Sequence, residues 1–383
     1  MRALGLMLAT MLIVSLGLFL LPSTGNIPTV SKREAVPYGT ALQLAGDARG
    51  LISLASAKEE EELVYLLSLQ DANGIIAQTP EHMISIPYFS NLAAIAMVGD
   101  PRGHAPVLSY MNWYVTHLNR PDKYNVTGTM YDWKQVDGEW IPTYTYDSAD
   151  SYAATFLSLA LQYTRVTGDI EWAKDNLESL LDVAGVLLEL QDIDGLIWAK
   201  PRYYVKFLMD NAENYRGLRD AAMLMGYLGR EDLALVFDTA AGRVAAGMEK
   251  HLWLPDKQVY AWALYGRWWA RAPGVKWYPD TVSQIYPVVF GVVAPDSPRA
   301  RSLYAYLNSH YPEWAKGRFD DRFPWTVLSF MAALMQDDTR AVEQLSDIHS
   351  ANTVRNRSYP WHSFESAFFV KAWRKLATLG RSH

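Results

Sequence analysis

Apolar positions recur at three- and four-residue spacing through most of the chain, the period of helices that bury one face. On that spacing, helices are expected at 58–70 and 88–98, 106–119 and 150–166, 173–191 and 212–228, 232–252 and 282–293, 298–309 and 325–335, and 339–350 and 364–376. No strand-like alternation of useful length interrupts them, so the expected fold class is all-α, with six helical hairpins. Connections inside pairs are long and rich in aromatic, Pro and acidic residues, whereas those between pairs are short turns such as Val98-Gly99-Asp100-Pro101 and Thr167-Gly168-Asp169. If helices alternate between an outer and an inner layer of a ring, every long loop falls on one rim and every short turn on the other. Binding groups are expected on the long-loop rim, since loops held by a rigid scaffold carry function.

An internal repeat supports the pairing. Leu69-Gln70-Asp71-Ala72-Asn73-Gly74-Ile75-Ile76 is echoed by Leu190-Gln191-Asp192-Ile193-Asp194-Gly195-Leu196-Ile197, each followed by a Pro, at Pro80 and Pro201. The Gly supplies a left-handed residue that stops the helix, and the Pro prevents its resumption. Asp192-Ile193-Asp194-Gly195 lacks the later ligands and closing Glu of a calcium loop, so helix termination is the expected role and no metal is expected.

Ahead of the helices, Arg2 precedes an apolar run over 3–21 that meets Pro22, with Ser23 and Gly25 offering small residues for cleavage. Its length suits either a signal peptide or a membrane anchor. The expected division is therefore 1–25 export segment, 26–40 linker and 41–383 one helical domain outside the cytoplasm, touching membrane only through the N-terminal segment. A net charge of −6 and the lack of a Lys/Arg stripe argue against nucleic acid. The absence of cysteine removes disulfides, thiolate metal sites and cysteine nucleophiles.

This organisation resembles the six-hairpin, or (α/α)6-barrel, glycosidase superfamily, which includes family 8 endoglucanases, glucoamylases and unsaturated uronyl hydrolases. Tyr146-Asp147-Ser148-Ala149-Asp150-Ser151-Tyr152-Ala153 looks like the acidic start of an inner helix in family 8. Where that family carries its general-acid Glu, this chain reads Ser85-Ile86-Pro87-Tyr88, so that acid is not carried over. The resemblance implies a toroid of six hairpins acting on a poly- or oligosaccharide, without a cofactor.

The composition of the long loops agrees. Nine of the fourteen tryptophans lie in or beside them, among them Trp198, Trp268, Trp269, Trp277, Trp325 and Trp361. Sugar rings stack on aromatic planes and need planar polar partners for their hydroxyls. Tyr146, Trp198, Lys200, Tyr204, Trp277, Tyr278, Trp361 and His362 are the expected substrate-binding residues, and His82 is a further loop histidine. Glycoside cleavage needs one carboxylic acid and one carboxylate. Acids open successive inner helices: Asp147 and Asp150 the second, Asp210 and Glu213 the third, Asp280 the fourth, and Glu365 the sixth. Each could merely cap its helix. Glu213, one turn in, is the favoured general acid, and Asp150 the favoured base, with Asp147, Asp210 and Asp280 as competitors. No Gly-x-Ser-x-Gly elbow, His-Glu-x-x-His helix or phosphate loop appears. Two alternatives stand beside hydrolysis: a uronate lyase using Lys200, Arg202 and Lys206 among Trp198, Tyr203 and Tyr204, and a non-catalytic glycan-binding barrel.

Overall fold

The computed structural model describes residues 48–380 except 82 and 355. The apolar segment 1–25, the linker 26–40 and His82 lie outside the described residues. No helix among the described residues is long and apolar enough to cross a membrane.

Among the described residues thirteen α-helices follow one another: α1 (Ala48–Ser68), α2 (Pro87–Met97), α3 (Pro101–Thr116), α4 (Ala149–Thr167), α5 (Ile170–Asp175), α6 (Leu177–Leu190), α7 (Leu208–Tyr227), α8 (Glu231–Gly247), α9 (Tyr286–Val289), α10 (Pro298–His310), α11 (Val327–Leu334), α12 (Asp338–Val354) and α13 (Ser363–Gly380). Helices α2, α4, α7, α9, α11 and α13 each pack on the next, and α13 returns to α2, which closes an inner ring. The outer helices α3, α6, α8 and α12 each pack on the inner helix that precedes them, α10 packs on the 3-10 turn that opens the fourth inner segment, and α1 packs on α13. This is the all-α toroid expected from the spacing. Packing is closest across the short turns and not across the long loops, because a two- or three-residue turn leaves consecutive helices no room to separate.

Inner helices have neighbours on every side. Accordingly α4 is buried over most of its circumference, with Ala153, Ala154, Leu157 and Ala160 among its core residues. Small residues set the spacing. A Cβ added to Gly217 on α7 would lie 2.5 Å from the Ala154 Cα on α4, so only Gly allows that approach.

The fourth inner segment departs from the helix expected at 282–293. It is a 3-10 turn (Val282–Ile285) followed by the single turn of α9, which carries Pro287 in its first turn. Gln284 ties it to the preceding loop: Tyr260 N donates to its Oε1 at 2.8 Å, and its Nε2 donates to Tyr260 O at 2.9 Å.

The long loops also hold strands that the sequence did not announce. β1 (Ile84–Ser85), β2 (Trp133–Val136) and β3 (Glu139–Pro142) form one sheet, β5 (Trp253–Leu254) and β6 (Val259–Tyr260) a ribbon, and β4 (Val205–Phe207), β7 (Ala263–Tyr265) and β8 (Trp269–Arg271) a third unit. Strands of two to four residues are too short to show a period of two.

All six long loops meet around one rim. β1 pairs with β2, linking loops one and two. Lys200 Nζ donates to Tyr146 O at 3.4 Å, linking two and three, and β4 pairs with β7, linking three and four. Trp277 stacks on Phe319, Phe323 meets His362, and Ser363 N donates to Gln78 O at 3.0 Å, which completes the circle.

The repeated octapeptide is a structural module. Gly74 and Gly195 have φ of +92° and +88°, and an added Cβ on either would strike the backbone of the next outer helix, at Ser109 or Arg243. Gln70 and Gln191 each bind that helix as well, Nε2 donating to Pro106 O and Ala240 O. Between Asp192 and Asp194 sits the Lys206 ammonium, at 2.6 and 2.5 Å, fully buried. The carboxylates that resemble a calcium loop are thus satisfied by a side-chain cation.

Candidate active site at the barrel mouth

Two inner helices deliver four acids to one place. α4 starts after Ser148, with Asp147 just outside it and Asp150 in its first turn; α7 starts after β4, with Asp210 in its first turn and Glu213 one turn further. Asp210 links the four electrostatically: Asp147 raises its pKa, and its own charge raises those of Asp150 and Glu213.

They differ in access. Asp150 is fully buried, accepting from Ser151 N at 2.8 Å and Asn214 Nδ2 at 2.7 Å, and burial, then the charge of Asp210, pushes its pKa well up. Glu213 is buried too, and Tyr88 Oη donates to its Oε1 at 2.5 Å. Burial followed by repulsion from Asp210 lifts its pKa to about 8. Asp210 is only half-buried. It accepts from Ser148 Oγ at 3.2 Å, and burial plus the charge of Asp147 raises its pKa to about 7. The Asp147 side chain is 44 % exposed. Burial raises its pKa and Lys200, at 3.8 Å, opposes the rise.

Sequence reasoning passed over Asp132, which accepts from Tyr152 Oη at 2.8 Å and has a pKa raised by burial to about 7. It sits in a strand-forming loop with no helix start to flag it. Tyr278, half-buried and stacked on Trp325 with ring centroids 5.6 Å apart, feels Asp210 and Asp147. Tyr203 feels the same two acids. Carboxyls of raised pKa, a lysine and tyrosine rings therefore come together at one mouth, an arrangement able to donate a proton to a leaving oxygen and stack a sugar ring.

Other expected residues lie elsewhere. Asp280 turns its carboxylate onto Lys276 N at 3.1 Å, and its field falls on Tyr306 and Tyr311, away from the four acids. Trp277 is buried in a parallel stack on Phe319. Trp361 is buried, its Nε1 donating to Ser366 Oγ at 2.8 Å and to Glu62. His362 is buried against Phe89, Phe323 and Phe364, which hold its pKa down to about 3 and keep it neutral. Tyr146 is buried with its Oη donating to Asp122 Oδ2 at 2.6 Å. Tyr146, Trp277, Trp361 and His362 thus knit the loops together and have no surface for a ligand. Glu365 does the same, accepting from Trp325 N and Thr326 N. Lys206 is locked in its acid pair, while Trp198 and Tyr204 remain accessible, edge to face at 5.8 Å. Loop tryptophans look alike in sequence; only burial separates those that pack from those that face outward. Among the described residues no group of three or more acids and histidines is placed to hold a metal ion.

No sequence-family profile and no curated protein matches the chain. Solved structures share its fold. A wild-type glycosidase is similar over 85 % of this chain and 97 % of its own, at 12 % identity and a TM-score of 0.62. A rhamnosidase from Klebsiella oxytoca with rhamnose bound is similar over 84 % of this chain and 64 % of its own, at 13 % identity and a TM-score of 0.61. For a GH78 rhamnosidase of Bacillus sp. GL1 the values are 83 %, 34 %, 14 % and 0.56. The chain has the six-hairpin glycosidase fold.

Proposed function

We propose that the protein is a glycoside hydrolase cleaving an oligo- or polysaccharide by carboxyl acid–base catalysis at the barrel mouth. The observation that carries this reading is Asp210: a half-buried carboxyl at the start of an inner helix, with a pKa raised to about 7 by burial and by a second, partly exposed carboxyl, Asp147. General acids work best with a pKa near the operating pH. Asp210 takes the role of acid and Asp147 that of base or nucleophile, with Lys200 orienting Asp147. Glu213, the acid favoured by its place in the sequence, and Asp150 are the more buried carboxyls beside Asp210, whose charge raises the pKa of both. Neighbours of the same fold include enzymes described as glycosidases and rhamnosidases, which supports the reaction class.

Elimination is less well supported. A lyase would need Tyr203 as base, and burial pushes that phenol's pKa up, away from the ionised form. Residues 1–25 are proposed to export the barrel, as a cleaved signal or an anchor; fractionation and N-terminal sequencing of the natural protein test this.

The test of function is a screen of aryl glycosides and polysaccharides for released phenol or reducing ends. Asp210→Asn should lower turnover by about 10²–10⁴-fold while the melting temperature holds or rises. An Asp210→Asn protein that cleaves within a few-fold of the parent, or a parent that cleaves nothing in the screen, overturns the assignment.

A further inference from the structure

The β7–β8 hairpin carries two adjacent, largely exposed indoles. Trp268 is 90 % exposed and Trp269 61 % exposed. Their support is rigid. Gly266 N donates to Tyr204 O at 2.9 Å, and Arg267 binds Asp192 through both carboxylate oxygens at 2.8 and 2.7 Å. The Arg271 guanidinium lies 4.7 Å over the Trp269 ring. β7 also pairs with β4, the strand that runs directly into α7 and its acids.

The hairpin continues the mouth. Tyr203, which feels Asp147 and Asp210, packs on the same small cluster (Val205, Trp262, Ala263) as Tyr265, and the Tyr265 ring meets that of Trp269 at 6.0 Å. A line of aromatic rings therefore leads from the acids to the hairpin tip. Its setting carries charge: Arg267 precedes the indoles in the chain and the Arg271 guanidinium covers one of them, so the patch is not a purely apolar one of the kind a protein partner or lipid tail would bury.

The geometry points to the β7–β8 hairpin as an outlying glycan subsite, with Trp268 and Trp269 stacking on units of a polysaccharide whose scissile bond lies at Asp210. This rests on the hydrolase reading and adds that the substrate is a polymer long enough to span mouth and hairpin. A rigid pre-formed indole loses little freedom on binding, so stacking translates into affinity.

The test compares the parent with Trp268→Ala/Trp269→Ala, both positions exposed enough for the fold to persist, as circular dichroism will verify. Native gels containing soluble glucan, galactan, xylan, rhamnogalacturonan or polygalacturonate should retard the parent in at least one case. The double variant should bind that polymer about ten-fold more weakly, the size of two ordinary aromatic stacking contacts. Its kcat/KM on the polymer, divided by that on the aryl glycoside of the same sugar, should fall by a similar factor. Equal retardation of both proteins, an unchanged ratio, or no retardation of the parent by any of the polymers overturns the proposal. So does Trp-dependent binding to phosphatidylglycerol vesicles, or Trp-dependent self-association in sedimentation, without glycan binding. If neither protein cleaves any glycoside yet retardation depends on the tryptophans, the hydrolase reading fails while the glycan subsite stands.

Discussion

Replacing Glu213 by Gln tests the electrostatics of the mouth most directly. Burial and the nearby Asp210 raise this carboxyl from its ordinary 4.5 to about 8. Between those two values the folded protein keeps a proton that the unfolded chain has released. Stability contributed by this group therefore falls as the pH rises from about 4.5, and the fall is complete above about 8. Taken whole, the rise corresponds to roughly 5 kcal/mol. Asp210 shares the repulsion, and removing one carboxyl also relaxes the other, so about 2–3 kcal/mol should appear in the single variant. Gln keeps an oxygen for Tyr88 and cannot ionise. Glu213→Gln should match the parent near pH 4 and exceed it at pH 8.5, which for a chain of 383 residues is a rise of about 3–4 °C in Tm. Calorimetry at both pH values reads this. An equal offset at the two pH values, or a lower Tm at pH 8.5, would refute the picture of Glu213 as a buried, proton-holding carboxyl.

Other outcomes follow from the same packing. Lys206→Met removes the buried cation between Asp192 and Asp194 and should cost about 3–5 kcal/mol, read by urea unfolding, since it leaves buried carboxylates short of a partner; a loss under 1 kcal/mol would mean that Arg267 alone suffices. Trp277→Ala should cost about 3–5 kcal/mol through the lost stack on Phe319, and a variant of unchanged stability with impaired turnover would return Trp277 to the substrate site. Gly217→Ala should cost about 1–3 kcal/mol by forcing α7 from α4, visible as a lower urea midpoint at unchanged slope. The alkaline limb of kcat/KM should lie near 7, where Asp210 loses its proton; a limb that persists in Asp210→Asn would assign it to another group.

Local pattern along this chain determines a great deal. The 3.6-residue spacing, the alternation of long loops with short turns and the Gly-Pro stops of the two octapeptides belong to contiguous residues, so helix order, inner and outer roles and the six-hairpin toroid are legible without coordinates. The acids at the starts of α4 and α7 are legible for the same reason: a helix start positions its first turn locally. What each of these groups does depends on residues far away. Asp210 and Glu213 have a high pKa first because the closed ring buries them, and then because Asp147 from the start of a second helix acts on Asp210 and Asp210 acts on Glu213; Trp277 and Trp361 are buried because other loops close over them while Trp268 stays bare. Asp280 and His362 sit in sequence contexts as promising as Asp210, yet one turns to a backbone N–H and the other into aromatic packing. The β1–β2 and β4–β7 pairs likewise need a strand supplied by another loop. Burial and electrostatic neighbourhood are sums over the whole fold, and only the closing of the ring decides them.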